Sequence, residues 1–307
     1  MIIAKNINDK QKFLLTGASG WFGKTALNEY KKLYGYDYLI NDITSFSSKY
    51  QKIKLKGIKE KYNLIPLEKI IDQKKPLGIL HMAFLTRDKI KKYGIETYIK
   101  INEQILNTLQ KIISIYPDVP LISISSGAAN KNHIGSIDKY IDPYSYLKKK
   151  EEMILQAHSN KRMALVFRVY AATGEFMTQP ERFALGEFLK SAKNKTRIKI
   201  RSKTKVMRSY VSVEALMNLC WQILKSPIKK GFYNIDACYE DISIQDLAQY
   251  ISEEWDLENP ISEIFFNSDP EIYCGDKVKF KSLLKKYKVQ HPTMEEQILI
   301  TSRSKYL

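Results

Sequence analysis

The sequence predicts an α/β fold: a doubly wound parallel sheet followed by a smaller carboxyl-terminal lobe. Three observations carry this. In the first half, short apolar runs alternate with stretches of helical periodicity, the pattern of βαβ units. A glycine loop, TGASGWFG, directly follows the first apolar run and opens the first helix. Beyond residue 171 the texture changes to helices and short strands around a basic segment, as expected of a separate lobe.

Taken in order, Lys12–Thr16 (KFLLT) reads as a short buried strand. The helix after the loop runs to about Leu33 and ends at Gly35. Tyr36–Ile40 reads as the second strand. Residues 44–70 are polar and lysine-rich, with Ile53 and Leu55 alternating as in an edge strand. Leu77–Ala83 (LGILHMA) is a buried strand, and 95–114 carries apolar residues at helical spacing. Val119–Ser125 is a strand ending in hydroxyls, Tyr144–His158 is helical, and Met163–Tyr170 is a further strand. Helices follow at about 181–193, 213–225 and 243–256, with a short strand near 232–235. The expected domains are 10–172 for the sheet and 173–307 for the lobe, with parts of about 205–240 returning to the sheet. A ligand cleft is expected at the carboxyl ends of the strands.

Composition narrows the classes. The chain has 307 residues, 44% of them hydrophobic, ordinary for a soluble globular protein. No apolar run reaches the roughly 18 residues of a membrane span, and the first residues lack a secretory signal's apolar stretch. Cys220, Cys238 and Cys274 lie far apart, so reduced thiols, a cytoplasmic location and no metal site are expected. The net charge of +17 attracts anions. Its lysines are scattered and no nucleic-acid motif accompanies them, so nucleic-acid binding is disfavoured and an anionic small molecule suits the charge.

In the loop, Gly17, Gly20 and Gly23 stand at GxxGxxG spacing. Gly17 permits the tight turn, Gly20 lets backbone N–H groups approach a pyrophosphate, and Gly23 lets helix and strand pack closely. The helix amino terminus adds partial positive charge. This is the Rossmann-type dinucleotide site, with Ser19, Trp21 and Phe22 completing the loop. At the end of the second strand, Asp42 is placed to hold the adenosine ribose, favouring NAD; Ser45, Ser47, Ser48 and Lys49 would instead cradle a ribose phosphate, leaving NADP open.

Tyr-xxx-Lys spacing occurs four times, at Tyr50/Lys54, Tyr144/Lys148, Tyr146/Lys150 and Tyr273/Lys277. The middle two follow the strand ending ISISS and lie on one helix, pointing in different directions. A phenol with pKa near 10 is a poor base at neutral pH. A nearby ammonium favours the phenolate and makes proton exchange with a sugar hydroxyl feasible. Ser126, with Ser125 beside it, is the candidate to orient that hydroxyl.

The order of these motifs resembles the extended short-chain dehydrogenase/reductases, the group of nucleotide-sugar epimerases and dehydratases. TGASGWFG resembles their TGxxGxxG, and KPLGILHMAF resembles PDxVIHLAA, which puts His81, Met82 and Ala83 beside the cofactor. Asn102 falls where the family has a helix asparagine. ISISSGAA resembles SSxxVYG, and DPYSYLKKKEE resembles PYxxSKxxxE, which selects Tyr144 and Lys148. VFRVYAATG, RSYVSVEAL and GFYNIDACYEDISIQDLA resemble later motifs, so the likeness spans nearly the whole chain. The resemblance implies catalysis by Ser126, Tyr144 and Lys148. It also implies an NAD(P) site including Gly17, Ser19, Gly20, Trp21, Phe22, Gly23, Asp42, Met82, Ala83, Asn102, Tyr144 and Lys148. It further implies substrate contacts from Ser126 and Arg208, a nucleotide-sugar substrate, and a homodimer. Arg201 and Lys203 are weaker phosphate contacts.

The departures carry information. Residues 127–131 read GAANK where the family has xxVYG, and Ala171 replaces a substrate-contacting asparagine. Dehydratases of the group carry an Asp-Glu pair just after the hydroxyl. Gly127 and Ala128 cannot move a proton, so elimination is disfavoured. Reversible hydride transfer remains: an epimerase acting at a sugar carbon such as C4, or a dehydrogenase or 4-keto reductase with net cofactor turnover. A catalytically idle NAD(P)-binding scaffold is the competing class.

Overall fold

In the computed structural model, residues 11–130, 137–262 and 269–307 are described; Lys131 of the GAANK segment and Lys10 at the expected domain start lie outside them. The chain forms two compact units. One combines residues up to Val166 with Cys220–Asn234; the other combines Phe167–Leu219 with Ile235–Leu307.

The first unit is built on β1 (Phe13–Leu15), α1 (Trp21–Tyr34), α2 (Tyr36–Asp42), β2 (Ile43–Ser47), β3 (Gln51–Lys54), β4 (Lys61–Pro66) and β5 (Gly78–His81). It continues with α3 (Ile90–Tyr93), α4 (Ile95–Ile115), β6 (Leu121–Ser126), α5 (Pro143–Ala157) and the first residues of β7 (Met163–Val169), whose last three belong to the second unit. The later elements are β8 (Ala171–Thr173), α6 (Ala184–Lys193), β9 (Lys199–Ile200), β10 (Val206–Ser212), α7 (Val213–Lys225), β11 (Gly231–Ala237) and β12 (Glu240–Ser243). The chain ends with α8 (Ile244–Glu254), β13 (Ile261–Ser262), β14 (Glu271–Tyr273), α9 (Val278–Lys286) and α10 (Met294–Ser302).

The main sheet has eight strands in the order β11-β7-β6-β5-β1-β2-β4-β3. β1 pairs in parallel with both β2 and β5, and β5 pairs in parallel with β6. The strand order therefore reverses at β1, where an open α/β sheet leaves a crevice outside the carboxyl ends of its strands. β1, β5 and β6 are buried along their whole length, which is why they read as near-continuous apolar runs. β3 closes the other edge antiparallel to β4, with only Ile53 turned inward. It is the edge strand that the alternation at 53–55 predicts.

One expectation fails here. Tyr36–Ile40 is not a strand; residues 36–42 form α2, and the second strand starts at Ile43. A five-residue run such as YDYLI cannot distinguish strand from helix by periodicity. In the fold only Leu39 and Asp42, three apart, face inward, while Tyr38 and Ile40 are exposed.

Side chains far apart in sequence close the core. Trp221 of α7 is fully buried, stands edge-on to Phe13 and Tyr30, and donates its Nε1 hydrogen to Ala26 O at 2.8 Å. Arg162 is also buried; it donates to Ile113 O and Tyr116 O, each at 2.7 Å, satisfying carbonyls at the α4 carboxyl terminus.

In the second unit, β12, β10 and β14 form one sheet with β8 also paired to β10, and β9 pairs with β13. Phe167 meets Phe280 edge to face, and Thr173 donates to Gln297 of α10 at 2.8 Å. No helix among the described residues is long and apolar enough to cross a membrane.

Candidate active site

The glycine loop lies between β2 and β5 at the carboxyl end of β1. Thr16, fully buried, ties the strands together: its Oγ1 accepts from the N–H of Met82 and of Ala83, each at 3.0 Å, and lies 2.9 Å from His81 Nδ1. The next residue must be glycine. Gly17 has φ +71°, and a Cβ there would stand 2.5 Å from Met82 O. Gly23 is equally constrained, since a Cβ would come within 2.5 Å of Ala18 Cα and nearer still to Gly17 O. Gly20 differs: its Cβ would meet only Gly17 O, at 3.4 Å. Gly20 is exposed and is the N-cap of the fourteen-residue α1, whose first turn has no side-chain cap and no acidic residue. That end of α1 offers N–H groups to an anion, as a pyrophosphate requires. Ser19, Trp21 and Phe22 are half-buried around it, the two rings edge-on to each other.

Asp42 requires correction. In register, Phe13 stands beside Ile43 and Leu15 beside Ser45, so Asp42 sits before β2, at the end of the sheet opposite the glycine loop. It is buried and accepts from Tyr30 Oη at 2.8 Å; burial first, then Asp42, pushes that phenol well above its ordinary pKa. Asp42 cannot hold a ribose at the loop. The residues that do follow the carboxyl end of β2 are Ser48 and Lys49, both exposed, with Ala18 N donating to Phe46 O at 3.0 Å and Ser47 Oγ donating to Lys49 O at 2.7 Å. Residues 43–59 contain no carboxylate, so the argument from Asp42 for NAD over NADP falls away.

Asn102 also changes role. It is fully buried, its Oδ1 accepts from Leu85 N at 2.8 Å, and its Nδ2 donates to Leu85 O and Tyr98 O. It clamps the segment after β5 rather than facing a ligand. Met82 and Ala83, in that segment, are half-buried at the rim beside Gly17.

α5 starts at Pro143, which fits the first helical position, with Asp142 as N-cap accepting from Ser145 N. It separates the two Tyr/Lys frames. Tyr146 packs against the core, and Lys150 pairs with Glu103 of α4 at 2.9 Å. Tyr144 turns toward the segment after β5, its ring edge-on to Phe84 at 5.8 Å and under the Arg87 guanidinium at 5.0 Å. Arg87 is in turn paired with Asp142 at 3.1 Å. Ser126 ends β6, and its Oγ accepts from Ala128 N at the start of the Gly127–Ala129 turn.

Lys148 is buried. Its ammonium donates to Ile124 O at 2.8 Å and to Glu151 at 3.0 Å, and it sits 3.9 Å from the centre of the Phe84 ring. Glu151 also accepts from Ser123, while Glu152 accepts from Ser125 at 2.8 Å and from Asn234 at 3.1 Å. Ser123 and Ser125, two apart on β6, thus face two acids of α5. His81, beside Ser123 in register, is held down to a pKa of about 4, chiefly by burial. Its Nε2 has no hydrogen-bond partner among the described residues.

Thr16, Phe84 and Glu151 escaped the sequence reading. The signal for Glu151 is present, three residues beyond Lys148 on the face that also carries Tyr144. Arg208 lies in the second unit, on β10, paired with Glu271 at 2.6 Å and 5.4 Å from the centre of the Tyr273 ring. Arg201 pairs with Glu187 at 2.5 Å.

Residues 13–236 match the model of the NAD dependent epimerase/dehydratase family. No curated protein matches the chain by sequence. Among solved structures, UDP-glucose 4-epimerase of the hyperthermophile Thermotoga maritima superposes with a TM-score of 0.70 at 17% identity, over 96% of this chain and 98% of that one. The UDP-N-acetylglucosamine 4-epimerase of Methanobrevibacter ruminantium M1, in complex with UDP-N-acetylmuramic acid, gives 0.69 at 17%, over 96% and 97%. The dTDP-glucose 4,6-dehydratase of Bacillus anthracis, in complex with NAD, gives 0.67 at 13%, over 96% of each chain. At such identities the likeness establishes the fold, a Rossmann-like sheet shared with these enzymes.

Proposed function

The chain belongs to the NAD dependent epimerase/dehydratase family, and from that premise we propose that it epimerises a nucleotide-linked sugar by reversible hydride transfer at one carbon, most simply C4. The observation that carries this reading is the grouping of Tyr144 and Ser126 around the carboxyl ends of β5 and β6, on the same edge of the sheet as the open face of Gly20.

Bound NAD supplies a reversible hydride acceptor. The N–H groups of the Gly20 turn and the first turn of α1 would hold its pyrophosphate. Tyr144 Oη takes the proton of the sugar hydroxyl as the carbon gives up its hydride, leaving a ketone. On the return half of the reaction Tyr144 Oη would give the proton back to the same oxygen. Ser126 Oγ orients that oxygen, and the Lys148 charge favours the phenolate.

The 4,6-dehydratase among the structural neighbours raises elimination as the rival chemistry. Gly127 and Ala128 offer no acid or base for it, and Glu151 and Glu152 are committed to Ser123, Lys148, Ser125 and Asn234. A reductase or dehydrogenase would use the same three side chains. The test is incubation with UDP-glucose, UDP-N-acetylglucosamine and dTDP-glucose, with and without added NAD(P)(H), followed by NMR and by absorbance of the reduced nicotinamide. An isomer formed without net absorbance change supports epimerisation. Stoichiometric cofactor turnover makes the enzyme a reductase or dehydrogenase, and a 4-keto-6-deoxy product contradicts both.

A further inference from the structure

A lysine ammonium carries three hydrogen-bond donors and no acceptor. Lys148 spends two of them, on Ile124 O at 2.8 Å and on Glu151 at 3.0 Å. The side that those oxygens leave is met by the Phe84 ring, whose centre lies 3.9 Å from Nζ. The negative face of a ring attracts a cation, yet it replaces a hydrogen-bonded oxygen only in part. The contact is out of water, since the Lys148 side chain is only 6% exposed.

Phe84 is itself half-buried and stands edge-on to Tyr144, ring centres 5.8 Å apart. One side chain thus touches both the phenol ring and the ammonium, which lie one turn apart on α5. The backbone is pinned on either side of it. Met82 N and Ala83 N donate to Thr16 Oγ1, each at 3.0 Å, and Asn102 holds Leu85 through both its N–H and its carbonyl. Movement here is therefore rotation of the Phe84 side chain between staggered rotamers. The ammonium keeps its place when the ring turns, because Ile124 O and Glu151 hold it and Ser123 holds Glu151.

We propose that Phe84 is a gate over Lys148: seated, the ring seals the third donor, and turned away, it lets Lys148 donate to a hydroxyl of a bound ligand. The vicinal hydroxyls of a ribose or a hexose fit this site, because Glu151 already offsets the ammonium charge and leaves it no excess for an anion. This rests on the reading of the Tyr144 and Lys148 face as a ligand site. A desolvated cation–π contact favours the seated form by up to about thirtyfold. A ligand that needs the turned form binds more weakly by the same factor, and removing the ring removes that penalty.

The test is titration calorimetry of the full-length protein with NAD alone and with UDP-glucose alone, in the parent and in Phe84→Ala. The Kd of at least one ligand should fall by about five- to thirtyfold. Tightening confined to NAD assigns the hydroxyl to the cofactor, and tightening confined to UDP-glucose assigns it to the nucleotide sugar. A Kd that rises, or falls by less than about fivefold, for both ligands overturns the gate. A side chain that only filled space would give that result. Should Phe84→Ala fail to fold by circular dichroism, Phe84→Val, too short to cover the ammonium, carries the same expectation. The effect must also pass through the lysine. In a Lys148→Met/Glu151→Gln background, which leaves no buried charge unpaired, Phe84→Ala should tighten neither ligand, and tightening there overturns the proposal. If the parent binds neither ligand, the functional reading fails and the gate with it; if it binds and the ring makes no difference, the gate alone fails.

Discussion

The three loop glycines are predicted to fail in two different ways when given a methyl group. In Gly23→Ala the new Cβ would stand 2.5 Å from Ala18 Cα and closer to Gly17 O, both backbone atoms, so loop and helix must separate by about 1 Å. Overpacking of that kind costs about 1–3 kcal/mol, or roughly 2–5 °C in Tm for a chain of this size. In Gly20→Ala the Cβ meets only Gly17 O at 3.4 Å, an ordinary contact, and the backbone (φ −77°, ψ 177°) is one that alanine adopts freely. Its stability should stay within about 0.5 kcal/mol of the parent. The methyl group does cover the face through which the pyrophosphate approaches, so the Kd for NAD should rise at least about tenfold, equivalent to 1.4 kcal/mol. Thermal unfolding by circular dichroism and titration calorimetry with NAD measure the two effects separately. Equal losses of Tm in the two variants, or an unchanged NAD affinity in Gly20→Ala, would refute the division of labour argued here.

Three further predictions follow from particular contacts. Tyr144→Phe should lower turnover by at least about a hundredfold with little loss of NAD affinity, whereas Tyr146→Phe, on the core-facing frame, should be much milder; a reversal would move the active frame to Tyr146 and Lys150. Asp42→Asn should leave NAD affinity within about twofold, since the residue lies at the far end of β2, while removing a buried charged acceptor from Tyr30 costs about 1–3 kcal/mol in urea unfolding; a large loss of NAD binding at unchanged stability would restore its ribose role. Stability should also fall as pH drops from about 6.5 to 4: burial holds His81 at a pKa of about 4 in the fold, so over that window the unfolded chain binds the extra proton. Its contribution is complete above pH 6.5, His291 adds the same sign, and His81→Gln should flatten the slope of unfolding free energy against pH.

Much of the fold was legible because its signals are local. KFLLT, LGILHMA and VPLISIS are buried on both faces, so each reads as a strand without knowledge of its neighbours. The 95–114 periodicity needs only the helix's own repeat. Glycine spacing is equally local, since the tight turn and the approach of helix to strand are set within seven residues. Together these determined the Rossmann-like sheet, the loop and the order of the proposed catalytic residues.

Register and partner choice are not local, and there the tertiary structure decided. Whether YLIND ends a strand or a helix depends on which side chains the sheet buries, and the answer moved Asp42 from the ligand end to the opposite edge of β2. The choice between Tyr144 and Tyr146 is a two-residue shift along one helix. What α5 packs against separates the two frames, with Phe84 and Arg87 beside Tyr144 and α4 beside Lys150, and the proposal of Tyr144 rests on that packing. Asn102 stands on the expected helix, but only the return of the chain after β5 spends its amide on Leu85. Lys148 and Glu151 are two ordinary charges in a run of five, and burial against Ser123 and Ile124 makes them a fixed pair. Periodicity reveals which residues share a face; only packing reveals what that face meets, and the cost of leaving a buried charge unpaired makes the difference matter.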